Sequence, residues 1–427
     1  MSIQNSLYIG VNGLMAHSDA ISVVGDNIAN ASTNGFKSER AYFADMLGGE
    51  INGQREGGGV RLGAVQTMFE QGQLQTTGNP TDLAINGHGL FVVKGQHDGV
   101  TGNYYTRNGA FSLDKSGTMV NPEGLKVQGY MYDSSGNKIN TLGDLDLGGT
   151  TSPPVATTTA SMSMVMDSDS KFTTPTAFNP ANPTATSDYQ TSTTVYDSLG
   201  KAHTAQMFFH NDGGGAYSWH AMVDGDLTGG TAGTLTEIAT GTLQYNTDGS
   251  LQSQTPGVSS ANFLNATPGQ SIQFNFGDDI ATGGTGRDGS TMSANNWSTT
   301  KTDISGHGAG TLTDISVNSD GTIQGTYDNG DKRTIAQVAI ASFTNEEGLT
   351  RQNDNLYAES QNSGQALIDG AGTGKRGSIA SGSLEMSNVD LSNELVTLIA
   401  YQRAYEANSK TVTTADEMMS DVTNLKR

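Results

Sequence analysis

The chain of 427 residues contains no cysteine, which excludes disulfides, thiolate metal sites and cysteine nucleophiles. Positive charge is also scarce: 22 Lys and Arg against 43 Asp and Glu give a formal net charge of -21. Such a surface repels phosphate backbones and anionic membranes, so no nucleic-acid partner is expected. No window approaches the ~18 consecutive apolar residues of a spanning helix, and the N-terminus lacks a basic segment followed by an apolar block. We therefore expect no membrane insertion and, if the chain leaves the cell, no ordinary cleaved signal peptide. Proline is confined to the middle: the first is Pro80, none follows Pro268, and neither glycine nor proline occurs from Ser383 to Arg427. That last stretch permits one long uninterrupted helix.

Turn-forming and small polar residues are plentiful. Only 34% of residues are hydrophobic and 15% charged, with 56 glycines and abundant Thr, Ser and Asn; this composition suits turn-rich β structure, and the length suits two or three domains. In the C-terminal helix Leu391, Leu398, Tyr405, Val412 and Met419 recur every seven residues, with Leu395 and Ile399 widening the stripe. Near the N-terminus Leu7, Leu14, Ile21 and Ile28 repeat the pattern up to the turn signal Asn34-Gly35. Gly10, Gly13 and Gly25 are read as weakening that helix. Each helix alone should be marginal, so the two either pack on their own globular domain or order by docking on each other and on neighbouring copies.

Between the helices the period changes to two. Ile272, Phe274 and Phe276 fall on one face of a strand, and Asn86-Gly87, Ser116-Gly117, Ser135-Gly136, Asp248-Gly249 and Asp320-Gly321 mark turns. The glycine-rich run 48–63 is expected to be an irregular connection. Thr, Ser and Pro accumulate over 149–193 and mark a boundary, with a third near 281–310. No fixed-period repeat supports a solenoid or propeller.

No catalytic constellation emerges. The seven histidines, His17, His88, His97, His203, His210, His220 and His307, lack helical zinc spacing and are read as scattered surface residues. No G-x-S-x-G elbow occurs. Asp278-Asp279 and Glu346-Glu347 are read as solvated turn charges, since neighbouring strand residues point to opposite faces. Gly372-Thr373-Gly374-Lys375-Arg376-Gly377 matches G-x-G-x-x-G, but no helix follows, and Asp369 and Arg376 break a phosphate-loop pattern, so a flexible connection is expected. Asp167-Ser168-Asp169 lacks the glycine and terminal glutamate of a calcium loop. We expect no catalytic, cofactor or metal site.

The ends of the chain resemble a known family. Asn27-Ile28-Ala29-Asn30-Ala31-Ser32-Thr33-Asn34-Gly35-Phe36-Lys37 resembles the N-terminal signature of flagellar rod and hook proteins. Ser387-Asn388-Val389-Asp390-Leu391, Glu394-Leu395-Val396 and Gln402-Arg403-Ala404-Tyr405-Glu406-Ala407-Asn408-Ser409-Lys410 are similar to the family's C-terminal helix. Several axial components share these ends. The centre, Val195-Tyr196-Asp197-Ser198-Leu199-Gly200-Lys201-Ala202-His203 and Asp320-Gly321-Thr322-Ile323, resembles the hook members, while a distal rod protein shares the Thr77-Gly78-Asn79-Pro80 region.

The resemblance implies a mainly β chain with long terminal α-helices, in which nested β domains are inserted between the two helical segments of a coiled-coil-like layer. The expected division is 1–34 plus 384–427 as helical assembly domain, 35–75 plus 360–383 as connecting segment, 76–150 plus 306–359 as inner β domain, and 151–305 as outer β domain. Assembly contacts are then expected at Leu7, Leu14, Ile21, Ile28, Leu391, Leu395, Leu398, Tyr405, Val412 and Met419. The family motif residues are Asn27, Asn30, Thr33, Gly35, Phe36, Gln402, Arg403, Tyr405 and Asn408. The implied function is that of a non-enzymatic structural subunit of an extracellular curved tube, transmitting torque from basal body to filament. Implied partners are further copies of itself, the rod, hook cap and hook–filament junction proteins, and the flagellar export machinery. The alternatives are a distal rod protein or, in a different class, a secreted β-rich glycan-binding module.

Overall fold

The computed structural model describes residues 3–51, 54–169 and 177–425. Two long helices bracket a β-rich body: α1 spans Ile3–Ala29 and α2 spans Leu391–Leu425. The chain forms two compact units, one comprising 1–150, 314–326 and 332–427, the other 151–313 and 327–331. The division at 150/151 falls in the Thr, Ser and Pro-rich stretch; Pro175, also part of that stretch, lies outside the described residues. The next division, at 313/314, falls just past the tract 281–310, which itself lies inside the second unit and contains strands Thr291–Ser293 and Ser298–Ile304.

In the second unit an antiparallel meander runs Tyr189–Tyr196, Ala202–Gly213, Ala216–Asp224, Leu235–Tyr245 and Leu251–Ser259. A smaller sheet is built on Thr159–Asp167, which pairs in parallel with Gln273–Asn275 and Thr291–Ser293 and antiparallel with Ser298–Ile304. Period-two alternation buries Ala160, Met162, Met164 and Met166 on one face of Thr159–Asp167. They join Phe209, Trp219, Ile272, Phe274 and Phe276 in one core, so the alternation around Phe274 marks a buried strand face. Methionine suits this site because its unbranched thioether adapts to the irregular space between aromatic rings.

The first unit centres on a sheet ordered Thr322–Tyr327, Lys332–Ser342, Lys126–Met131, Leu90–His97, Val100–Thr106, Leu356–Ala358 and Thr350–Arg351. Lys332–Ser342 and Leu90–His97 carry continuous buried runs, Ile335–Ala341 and Leu90–Val93, as expected of strands covered on both faces.

One turn design recurs. Asp114 Oδ1 accepts the amides of Ser116 (2.8 Å) and Thr118 (2.9 Å), and the Gly117 amide donates to the Asp114 carbonyl (2.9 Å). Asp133 treats Ser135, Asn137 and Gly136 in the same way, as does Asp197 with Leu199, Lys201 and Gly200. The glycine sits at φ near +80° in all three, a conformation a Cβ would strain. The aspartate therefore replaces ladder bonds that the turn forgoes.

Several expectations are corrected. The run 48–63 is no irregular connection: β1 (Glu39–Ile51) and β2 (Gln54–Thr67) form a long antiparallel hairpin whose register shifts at Tyr42/Phe43 and Met46/Leu47. Glycine is tolerated there because the hairpin lies against α1, where Asn12 Nδ2 donates to the Gly58 carbonyl (3.0 Å). The C-terminal helix does not begin at Ser383. Ser383–Glu385 is a strand paired with Leu74–Thr76, and Asp390 starts α2 by accepting the Ser392 amide (2.9 Å) and the Asn393 side-chain amide (2.8 Å). Absence of helix breakers permitted a longer helix; the cap sets its start.

The histidines are not surface residues as a group. His203 and His210 are buried, and His203 stacks on Phe263 at 4.1 Å with Nε2 2.8 Å from Asp197 Oδ2. Asp279 is buried too, capping Thr282 rather than facing water. The 372–377 segment is a closed turn, with the Gly372 amide donating to the Gly377 carbonyl (2.9 Å) and the Gly377 amide to that of His88 (2.8 Å).

Burial pushes the Asp197 carboxyl up, but the His203 ring and the Lys201 and Leu199 amides more than offset this and hold it below its ordinary value. Its stabilisation is therefore complete above the unfolded value of about 3.9 and is lost as pH falls through the lower folded value. In an acid titration followed by tryptophan fluorescence, the second unit of Asp197→Asn should show a shallower loss of stability below about pH 4 than the parent; identical acid limbs would count against this role.

Candidate functional site: the terminal helices and their junction

The two helices run antiparallel, as their contacts show. Near one end Asn27 Nδ2 donates to Glu394 Oε1 at 3.2 Å; midway, the His17 and Tyr401 rings lie 6.0 Å apart. Toward the other end, a Cβ added at Gly13 would come within 2.7 Å of the Asn408 side chain, and one at Gly10 within 2.7 Å of Val412 Cγ2. The buried face of α1 is thus Gly10, Gly13, Ala16, Ala20, Val24 and Asn27. These small residues allow close approach of the helices. Gly10 and Gly13, read from sequence as weakening the helix, form its contact surface.

The expected stripe lies elsewhere. Leu7, Leu14, Ile21 and Ile28 are half-buried, as are Leu398 and Val412. Leu391, Leu395, Tyr405 and Met419 are exposed, together with Val396, Ile399, Met418 and Val422. The heptad pattern sets Val24 beside the stripe and treats Gly10 and Gly13 as weakening the helix; the signal that finds the seam is the three- and four-residue spacing of Gly10, Gly13, Ala16, Ala20 and Val24.

The motif between α1 and β1 builds a buried polar junction. Glu385, fully buried, receives Lys37 Nζ at 2.6 Å, Arg107 Nη1 at 3.1 Å and the Gly72 amide at 2.9 Å. Its own carbonyl accepts the Gly35 amide at 2.7 Å. Lys37 also donates to the Glu70 carbonyl (2.7 Å), and Arg107 to those of Ile85 (3.3 Å) and Gly87 (2.6 Å). Burial pushes the Lys37 amine down, with the Glu385 charge opposing.

Gly35 sits at φ +70°, and a Cβ there would meet the Asn108 amide nitrogen at 2.5 Å, so only glycine fits. Phe36 is buried beneath the Arg351 guanidinium, 4.9 Å from the ring centroid, and Arg351 also pairs with Asp26 and Glu39, each at 3.0 Å. Asn27 exchanges two 2.8 Å bonds with the Glu39 backbone, Asn30 binds Asp26, and Thr33 donates to Asn30 (3.1 Å). Asn388 accepts from the Ser38 amide at 2.7 Å and donates to the Met68 carbonyl at 2.8 Å. Sequence reasoning missed Glu385, Arg107 and Arg351, since no local pattern announces a partner hundreds of residues away. Of the C-terminal motif, Asn408 meets α1, whereas Gln402, Arg403 and Tyr405 stand exposed.

Helices at both chain ends thus meet through one buried junction, with the β units between them in sequence. Four family descriptions match in chain order: Flagella basal body rod protein over 7–37, Flagellar hook protein FlgE/F/G D1 domain over 84–162, Flagellar basal body protein FlaE D2 domain over 165–307, and Flagellar basal body rod FlgEFG protein C-terminal over 380–425. The flagellar hook protein FlgE of Escherichia coli is 34% identical over 97% of this chain and 98% of its own length. That of Treponema pallidum is 32% identical over the whole of both chains. The chain belongs to the bacterial flagellar hook protein family. Because the similarity to hook proteins runs through the centre, it decides between the hook and rod members that the terminal motifs leave open.

Replacing Glu385 by Gln leaves Lys37 and Arg107 buried without their counter-charge. Loss of one partner from a buried pair costs about 3–5 kcal/mol, which chemical denaturation should register in the first unit; a change below about 1 kcal/mol would reduce the junction to an ordinary surface pair. Gly13→Val should remove hydrogen-exchange protection from α2, and unchanged protection would refute the small-residue seam.

Proposed function

We propose that this chain is the structural, non-catalytic subunit of the flagellar hook, polymerising with copies of itself into a curved, flexible tube that transmits torque from the basal body to the filament. The observation that carries the reading is the unpartnered apolar face of the terminal helices. Leu391 is 48%, Leu395 49%, Val396 67% and Ile399 50% exposed, and Tyr8 and Met15 reach 64% and 65%. Leu391, Leu395 and Ile399 recur every four residues and so line one face of α2, and an exposed apolar stripe of this kind is characteristic of an interaction surface. Here it lies on elements whose opposite faces are already used for pairing.

In this proposal residues 1–34 and 384–427 form the assembly module, with Leu391, Leu395, Tyr405 and Met419, together with the outer edges of Leu7, Leu14, Ile21 and Ile28, meeting neighbouring copies. Gln402 and Arg403, exposed in the single chain, would complete those contacts with hydrogen bonds. Outer surfaces rich in Thr, Asn and Gly exchange water-mediated contacts at low cost, which suits a tube that must bend as it turns. Rod, hook-cap and junction proteins at the tube's ends and the flagellar export machinery are the further partners of this reading, and the location is the hook outside the cell. Among the described residues no helix is long and apolar enough to cross a membrane.

Leu395→Asp combined with Ile399→Asp places two carboxylates on the exposed face without touching the seam. Sedimentation should show no polymer at concentrations where the parent assembles, with the circular dichroism of the monomer retained. Normal polymers from the double variant would overturn the assignment of this face.

A further inference from the structure

The contacts between α1 and α2 fix their register. Asn27 faces Glu394, Gly13 faces Asn408 and Gly10 faces Val412, so each step forward along one helix is a step back along the other. Extending that register places Asp19 level with Gln402, within about 1.5 Å along the axis of Arg403. It also places Ser22 level with Ile399 and Gly25 with Val396. All of these residues are exposed, on the sides of the two helices that the seam leaves free.

The two free faces differ in size and charge. On α2, Leu391, Leu395, Ile399 and Arg403 follow one another at four-residue spacing, so one ridge carries three large apolar side chains and then a cation. On α1, Ser22, Gly25 and Ala29 present little side chain, and a Cβ built on Gly25 would meet nothing within 4 Å. That helix carries two carboxylates and neither Lys nor Arg. Asp26 is held by Arg351 at 3.0 Å, whereas Asp19 has no hydrogen bond or ion pair among the described residues, and neither has Arg403. Glu406 precedes Lys410 by four residues, a spacing at which those two answer each other, which leaves Arg403 without an anion on its own ridge.

We propose that the free face of α2 packs on the free face of α1 of a second copy lying beside it, Leu395, Val396 and Ile399 covering Ser22, Gly25 and Ala29, and Arg403 pairing with that copy's Asp19; the proposal rests on the reading of the chain as a homopolymer subunit. Charge and shape select this occupant together. A base and an acid, each unanswered in its own chain, stand at one level on different sides of the helix pair, and large side chains stand level with small ones. A second copy in the same orientation offers both matches in a single register. Because the two faces are unlike, each copy uses one toward each neighbour, and such a heterologous contact repeats around a ring or along a helix.

Charge reversal in two separate full-length chains tests the pair. Asp19→Arg alone sets two cations, and Arg403→Asp alone two carboxylates, at each contact. Each variant should raise the critical concentration for polymerisation about tenfold, with the monomer's circular dichroism and thermal transition unchanged because both side chains are exposed. An equimolar mixture of the two variants should assemble near the parent's concentration, since alternating copies restore opposite charges at every contact; a pair formed within one chain gives no such rescue. Because the chain has no cysteine, Asp19→Cys chains polymerised with Arg403→Cys chains should give dimers on treatment with a short bismaleimide, and none as monomers. Single variants that assemble like the parent, a mixture no better than either variant, or polymer without dimers would each overturn the proposal. If Leu395→Asp with Ile399→Asp abolishes assembly while the charge variants assemble like the parent, the pairing alone falls; if that helix variant assembles normally, the helix-mediated polymer reading falls with it.

Discussion

One buried carboxylate fixes how the two ends of this chain meet. Glu385 sits where the last β-strand gives way to the C-terminal helix, and it binds Lys37 from the opposite end and Arg107 from the body. Two cations and one anion withdrawn from water are tolerable only if further dipoles satisfy them. The Glu70, Ile85 and Gly87 carbonyls and the Gly72 amide supply most of it, Arg107 Nε alone of these charged groups' atoms lacking a hydrogen-bond partner among the described residues. Geometry at the junction is consequently narrow, and glycine at position 35 follows from it.

From that junction the helices run out as an antiparallel pair with two unlike faces. Small residues on α1 allow the close contact within the chain, while large apolar residues, above all on α2, are left outward. A helix that used its leucines for internal pairing would have none to offer a neighbour. In the hook family reading, this separation lets the single chain order its ends before assembly and keep a surface for it. The second unit, by contrast, closes its own core with methionines and aromatic rings, while the aspartate-held turns occur in both units.

Much of this architecture is legible in local pattern. The exchange of a seven-residue period for a two-residue one located the helices and the β body, and Ser before Gly located turns at Gly117 and Gly136 because a positive φ has few residue solutions. Local pattern failed where a long-range partner overrode propensity. The 48–63 glycines read as a loop because their strand partners and α1 are invisible to composition. Gly10 and Gly13 read as defects because helix propensity scores a residue alone, without the Asn408 and Val412 side chains that fill the space above them.

The sequence by itself determined the class of the chain: terminal amphipathic helices around an acidic, cysteine-free β body, with family motifs at both ends. It did so because periodicity and turn chemistry are properties of neighbouring residues. Tertiary structure alone decided which helix face is spent inside the chain, which histidines are buried, and that Lys37, Arg107 and Glu385 share one site. Burial and ion pairing depend on residues distant in the chain, Lys37 and Glu385 meeting from 348 positions apart, and no local pattern encodes that meeting.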